Sequence, residues 1–259
     1  MLHLLRRHPF AVKAFFRHSL VLTYAVHLDA AEPLLPPGLA LDTWRGFGFL
    51  AIALVETEGL RPGFMPQATG QDFFLSGYRI FTRLKGEAGV NSVTNGQQNS
   101  GSKRGLRILR SDTDSPLMAW AGNRLTHYNY RICRVAREEG DGTIAWRVTT
   151  PNAEADLDVT ARISGGPAAL PAGSPFASEA EARRFAGPLP YTFDYERETG
   201  SIIAIHALRQ RWNPRPVEVE VRKNTFLERE PFLSARPVLA NAFYVSDIPY
   251  CWERGRRVA

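Results

Sequence analysis

The chain has 259 residues, 44% hydrophobic and 22% charged, a balance that supplies a large core and excludes a disordered chain. Its formal charge of +6 rests almost wholly on arginine, because Lys13, Lys85, Lys103 and Lys223 are the only lysines. Two cysteines, Cys133 and Cys251, are too few for a disulfide framework or a cysteine-rich zinc site and fit a reduced, cytoplasmic setting.

Residues 1–17 are basic and aromatic, but charges recur every few positions and Pro9 divides the segment. It therefore reads as an N-terminal extension packed on its own domain or on a partner subunit, neither a signal peptide nor a membrane-surface helix. Phe10, Val12, Phe15 and Phe16 are its candidate contact residues, and a homo-oligomer is one expected use of them. No segment approaches the length of a membrane span.

Residues 20–28 then alternate, with Leu20, Leu22, Tyr24, Val26 and Leu28 on one face and Ser19, Val21, Thr23, Ala25 and His27 on the other. Asp29 with Glu32 reads as a capping box opening a short helix before Pro36 and Pro37. Residues 47–55 are apolar on both faces, which predicts a central strand covered from both sides. Residues 73–84 and 202–212 are long enough to be staves of a barrel. Residues 87–103, rich in Gly, Asn, Gln and Ser, predict a flexible loop, and 106–109 a strand after it. Asp114 followed by Pro116 predicts the start of a second helix, and Ser178 with Glu181 a third. The stretches 144–148, 155–163 and 217–221 alternate with period two, as strands with one dry face and one wet face do. Neither the 87–103 loop nor the one at 165–173 is flanked by a change in composition, so one domain spans 1–259.

Motifs for familiar chemistries are weak. Residues 96–103, GQQNSGSK, resemble a phosphate-binding loop, yet the order Gly101-Ser102-Lys103 and the strand that follows do not fit one. The six histidines have no metal-ligand spacing, and no GxSxG elbow occurs. No cofactor or metal is expected. The arginines are spread along the chain in short clusters such as Arg6-Arg7 and Arg183-Arg184. They are not gathered on one helix with interleaved aromatics, so no nucleic-acid partner is expected. Two side chains stand out. His206 shares a strand face with Ile202, Ala204, Leu208 and Trp212, as a satisfied core histidine or a pocket donor or base. Arg79 shares one with Leu75 and Phe81, as a structural ion pair or an anion receptor.

Four segments, HSLVLTYAVHLDAAEPLLPPGLALDTW (18–44), FFLSGYRIFTR (73–83), LRILRSDTDSPLMAWAGNRLTHYNYR (106–131) and LPYTFDYERETGSIIAIHALRQRWNPRPVEVE (189–220), resemble in order and content the DUF2071 family. That family is similar in turn to the acetoacetate decarboxylases. The resemblance implies a mainly β (α+β) fold: an antiparallel, cone-shaped β-barrel of acetoacetate decarboxylase-like type, with a few short peripheral helices and a ligand-sized interior. Acetoacetate decarboxylases form a Schiff base on a lysine whose pKa a neighbouring lysine depresses. Matched against GNRLTHYNYRIC from Gly122, that lysine falls on Tyr130 and its neighbour on Arg131, and neither can form an imine. The family's acidic residue falls on Leu75, and its N-terminal arginine on or near Arg17.

The resemblance thus implies a barrel cavity for a small organic ligand, anionic or carbonyl-bearing, handled without Schiff-base chemistry. Its ligand-binding candidates are Arg17, Arg79, Tyr130, Arg131 and His206, with Tyr130 and His206 the catalytic candidates. Tyr130 would serve as a general acid if a nearby cation lowered its pKa. The competing readings are a decarboxylase with a relocated lysine and a non-catalytic interaction protein with one contiguous basic or apolar patch.

Overall fold

The computed structural model describes residues 2–85, 103–210 and 212–258. The predicted loop at 87–103 and its phosphate-loop-like sequence, Lys103 excepted, lie outside the described residues. The chain runs through β1 (Val12–His27), a single helical turn α1 (Leu28–Ala31), the short β2 (Leu39–Leu41), β3 (Phe47–Pro62) and β4 (Gln71–Leu84). β5 (Arg104–Thr113), α2 (Pro116–Leu125) and β6 (Tyr130–Ile132) follow, then β7 (Arg134–Gly140), β8 (Thr143–Thr149) and β9 (Leu157–Arg162). The remainder is α3 (Glu179–Ala186), β10 (Tyr191–Glu196), β11 (Ser201–Arg209), β12 (Arg215–Pro216), β13 (Val219–Asn224), α4 (Phe232–Ala235), β14 (Val238–Trp252) and β15 (Arg256–Arg257).

Strands β14, β1, β3, β4, β5, β10 and β11 are hydrogen-bonded in that order. β11 then returns to β14 through the pairs Ala207–Trp252, Leu208–Cys251 and Arg209–Tyr250, so the sheet closes on itself as a ring. Most pairings are antiparallel, as the alternation implies. β5 runs parallel to both β6 and β10, because the chain leaves it through α2 and longer crossovers rather than through a hairpin.

A second, antiparallel sheet of β13, β9, β8 and β7 covers the outside of the ring at β1, β3 and β4. The large outward residues Leu20, Leu22, Ile52, Leu54 and Tyr78 bury there against Ile144, Trp146, Leu157 and Val159. Each such side chain contributes about 1.5–3 kcal/mol through its removal from water. β3 is therefore covered on both faces, as its doubly apolar sequence requires. Its inward residues are small, Ala51 and Ala53, and they leave space inside the ring. One end of that space is filled by aromatics, with Phe49 at 5.4 Å from Phe176 and 5.0 Å from Phe185, ring centre to ring centre.

Local details differ from the sequence expectations. α1 is one turn with His27 at its N-cap and no side-chain cap, and a 3-10 turn at Glu32–Leu34 replaces the rest of the predicted helix. α2 is capped by Ser115, whose hydroxyl accepts from the Met118 amide, while Asp114 instead accepts from the Phe74 amide of β4. α3 starts as expected: Ser178 Oγ accepts from Glu181 N at 3.2 Å, and Glu181 accepts in return from the Ala177 amide. Residues 12–17 are part of β1 rather than an extension, and Phe16 stacks on Tyr250 at 4.4 Å. Both cysteines are free thiols. No helix among the described residues is long and apolar enough to cross a membrane.

Candidate functional site

Inside the ring lies a half-enclosed cavity of about 90 Å³, built by the inward faces of β1, β3, β4, β5, β11 and β14. Strand alternation decides what reaches it. On β4 the inward set is Leu75, Gly77, Arg79 and Phe81, while Tyr78 points outward into the second sheet. At Arg79 the β4–β5 register slips, so that Tyr78 faces Arg110 but Arg79 faces Ile108. Leu109 is the extra residue of this bulge, and beyond it the inward position on β5 passes to Ser111.

Among the described residues, Arg79 and Arg209 are the cationic ones of the cavity wall, and no aspartate or glutamate lines it. The Arg79 guanidinium is surrounded by protein, and the accessible surface it retains faces the cavity. Burial lowers its proton affinity, and Arg209 adds to that repulsion while nearby Tyr250, Tyr128 and Tyr130 oppose it; an arginine in such a place remains charged. Its Nε has no hydrogen-bond partner. Arg209 donates through Nη2 to the Leu189 carbonyl and to the Tyr250 hydroxyl, both at 2.9 Å, and lies over the Trp212 ring at 5.4 Å. The Tyr250 hydroxyl, already accepting, keeps its own proton to donate. Among the described residues no carboxylate forms an ion pair with either arginine. The buried acids elsewhere do find arginines: Asp42 with Arg83 and Arg104, Asp112 with Arg110, Glu196 with Arg7. Of the two sequence readings of Arg79, the structural ion pair is thus absent.

Tyr128 and Tyr130, from the α2–β6 connection and β6, complete the wall. Asn123 of α2 fixes the second of them through a two-point backbone contact: its Nδ2 donates to the Tyr130 carbonyl at 2.9 Å and its Oδ1 accepts from the Tyr130 amide at 2.7 Å. The Tyr130 ring lies so close to Gly122 that a Cβ there would fall 2.3 Å from it. Burial pushes both phenols above the ordinary tyrosine value, and for Tyr130 the Arg79 charge only partly offsets this. The cation-lowered tyrosine acid expected from the sequence is not what this environment produces. These phenols stay protonated and are available as hydrogen-bond donors. The Tyr128 hydroxyl and Trp212 Nε1 are, like Arg79 Nε, buried and without partners. Three unsatisfied donors on residues that line one small cavity are what a bound anion or carbonyl oxygen would satisfy.

Of the sequence candidates, Arg79 and Tyr130 are brought together here. Arg131, next to Tyr130 on a strand, points the opposite way and pairs with Glu154. Arg17 lies on the outside of β1 between Glu58 and Asp247, at 3.0 and 2.7 Å. His206 faces outward beside Tyr191 and bonds Glu253 at 3.2 Å. The inward face of β11 is the other one, which carries Ala207 and Arg209. Arg209, Tyr128, Trp212 and Tyr250 escaped the sequence reading. A signal was present in the alternation of β11, where Arg209 shares a face with Ile203, Ile205 and Ala207; Tyr250 had none, and Trp212, expected on the His206 face, lines the cavity instead because β11 ends at Arg209 and the alternation does not run on to it. All four lysines are described, and none lines the cavity.

The model of the DUF2071 family, described as an uncharacterized conserved protein, matches residues 13–248. No curated protein matches the chain in sequence. Among solved structures, the chain is similar to the enduracididine biosynthesis enzyme MppR complexed with pyruvate, with a TM-score of 0.64 and 11% identity over 97% of this chain and 91% of that one. It is similar to acetoacetate decarboxylase from Legionella pneumophila, with a TM-score of 0.60 and 12% identity over 97% and 88% of the two chains. A third likeness is to an acetoacetate decarboxylase-like enzyme from Sphingomonas wittichii RW1, with a TM-score of 0.56 and 13% identity over 96% and 93%. At such identities the likeness shows the fold, which is acetoacetate decarboxylase-like.

Proposed function

The chain belongs to the DUF2071 family and has an acetoacetate decarboxylase-like fold, and from that premise we propose that its ring cavity binds a compact organic acid without forming a Schiff base. The observation that carries this reading is the pair Arg79 and Arg209, which have no carboxylate partner and no acid beside them in the cavity wall among the described residues. A buried cation without a partner is costly unless a ligand supplies the negative charge. The carboxylate would sit against the two guanidiniums. A carbonyl or enolate oxygen of the same ligand would take the donors of Tyr128, Tyr130 and Tyr250. Protonated phenols suit that role because they donate without becoming charged. The cavity volume suits an acid of roughly three to five heavy carbon and oxygen atoms beyond its carboxylate.

Pyruvate, the ligand of the MppR structure, and acetoacetate are the natural probes. Calorimetry should show both binding to the intact chain, and Arg79→Gln should weaken them about ten- to hundred-fold through loss of a charge-assisted hydrogen bond. Equal affinity in the variant would sink the reading. So would a borohydride-reducible adduct on Lys13, Lys85, Lys103 or Lys223, which would restore imine chemistry.

A further inference from the structure

Behind the cavity wall lies a second group of polar side chains, of which the binding reading uses Tyr128 alone. His8 Nε2, His127 Nε2, Arg107 Nε, Asp194 Oδ2 and the Tyr128 hydroxyl are all buried and without hydrogen-bond partners. They come from four separate parts of the chain and meet around Asp194. The segment before β1 carries His8, whose ring lies 5.1 Å from that of Tyr128. The α2–β6 connection carries His127 and Tyr128, and the His127 backbone amide faces Asp194. β5 supplies Arg107, whose Nη1 is 3.5 Å from Asp194 Oδ1. On β10 the inward residues are Thr192, Asp194 and Glu196; Thr192 reaches the cavity and Asp194 stands one step of about 6–7 Å further along. Tyr128 thus belongs to the cavity wall and to this cluster at once.

Buried polar atoms in native folds have partners, and where protein supplies none, ordered water does. The Asp194 carboxylate is fully inaccessible and has one long cation contact on one oxygen. We propose that this pocket holds ordered water linking Asp194 to the Tyr128 hydroxyl, and that an acid entering the cavity is accompanied by uptake of a proton on Asp194, which can then pass along the water to the phenol as the phenol's own proton moves to the ligand oxygen. The proposal rests on the reading of the cavity as an anion receptor.

The electrostatics support it. Burial pushes the Asp194 carboxyl up to about 7, against the opposing charges of Arg107 and Arg6. The other groups facing it stay neutral near pH 7: burial holds the His8 imidazole down to about 4, lowers His127, and keeps Tyr128 and Tyr130 protonated. Asp194 is therefore the group of the cluster whose proton occupancy can change in the neutral range. A second negative charge at Arg79 and Arg209 favours its protonated form, and the two events are reciprocally linked.

The test is calorimetry of pyruvate binding to the intact chain at pH 7 in two buffers of different ionisation enthalpy. The expected result is a heat that depends on the buffer, equivalent to uptake of a fraction of a proton per site. That uptake should fade at pH 5, where Asp194 is already protonated, and vanish in Asp194→Asn while pyruvate still binds. Buffer-independent heats at pH 7, or uptake that persists in Asp194→Asn, overturn the proposal and leave the binding reading standing. Absence of pyruvate binding overturns the binding reading and the coupled uptake with it. Infrared titration of the ligand-free chain tests Asp194 apart from binding: a carboxyl band with its midpoint near the ordinary aspartate value overturns the proposal even where pyruvate binds, and one near 7, absent in Asp194→Asn, supports it.

Discussion

Arg79 is held in the cavity by its neighbours on the strand. The bulge at Leu109 sets its direction, and Gly77, two residues earlier on the same face, makes room for the guanidinium to fold back along β4. A Cβ at Gly77 would stand 2.8 Å from Arg79 Nε and 3.0 Å from Nη2. Because the obstructed atoms are the end of a flexible side chain, the guanidinium can move aside with little strain on the fold. Gly77→Ala is thus expected to leave the unfolding midpoint close to wild type, since alanine in a strand costs less chain entropy than glycine. Pyruvate affinity should fall about ten-fold as the guanidinium is displaced. Unchanged affinity, measured by calorimetry alongside thermal unfolding, would mean that Gly77 does not position Arg79.

At the level of elements, alternation places the site, and one helix locks it. β1, β3 and β4 turn large residues out to the second sheet and smaller or functional ones in, and this division is legible in residues 49–55, where Phe49, Ala51, Ala53 and Val55 alternate with Leu50, Ile52 and Leu54. β6 is only three residues long, and its parallel pairing to β5 does not by itself hold Tyr130. The Asn123 amide of α2 does so by closing on both backbone groups of Tyr130. Asn123→Ala leaves a backbone N–H and C=O without partners and is expected to cost about 1–3 kcal/mol in chemical denaturation. It should also weaken pyruvate binding, because Tyr130 loses its fixed position. Asn123→Asp keeps the acceptor but not the donor and should fall between. A stability loss with affinity intact would confine Asn123 to a structural role.

At the scale of the whole molecule, arginine pairs with acids at many separate places among the described residues. Surface arginines such as Arg17, Arg137 and Arg222 meet acids within hydrogen-bond reach, which agrees with the sequence expectation of scattered rather than clustered positive charge. Two carboxylates on the same face of β10 give stability a two-sided pH dependence. The Arg7 hydrogen bonds hold Glu196 down to about 2. Its contribution is therefore complete above the unfolded glutamate value and lost as pH falls through 2. Asp194 is raised to about 7, so its contribution is complete below the unfolded aspartate value and is lost as pH rises through 7. Denaturation of wild type between pH 2 and 9 should show both limbs. Glu196→Gln should flatten the acid limb and Asp194→Asn the neutral one; an unaltered neutral limb in Asp194→Asn would remove Asp194 as its source.

Much of this protein was decided by sequence alone: the β-rich class, the doubly covered β3, the helix starts at Pro116 and Ser178, the family, and the absence of a lysine at the position now occupied by Tyr130. These follow from local periodicity, capping chemistry and residue identity, which need no partner strand to be read. Tertiary structure alone decided which face of each strand turns inward, because a single slipped residue, as at Leu109, exchanges the faces, and because ring closure between β11 and β14 unites residues 41 to 45 positions apart. That is why Arg209, Tyr250 and Trp212 join Arg79 while Arg131 and His206 do not. It is also why Asp194, an ordinary aspartate in a strand by sequence, becomes a buried carboxylate beside the cavity only when three other segments close around it.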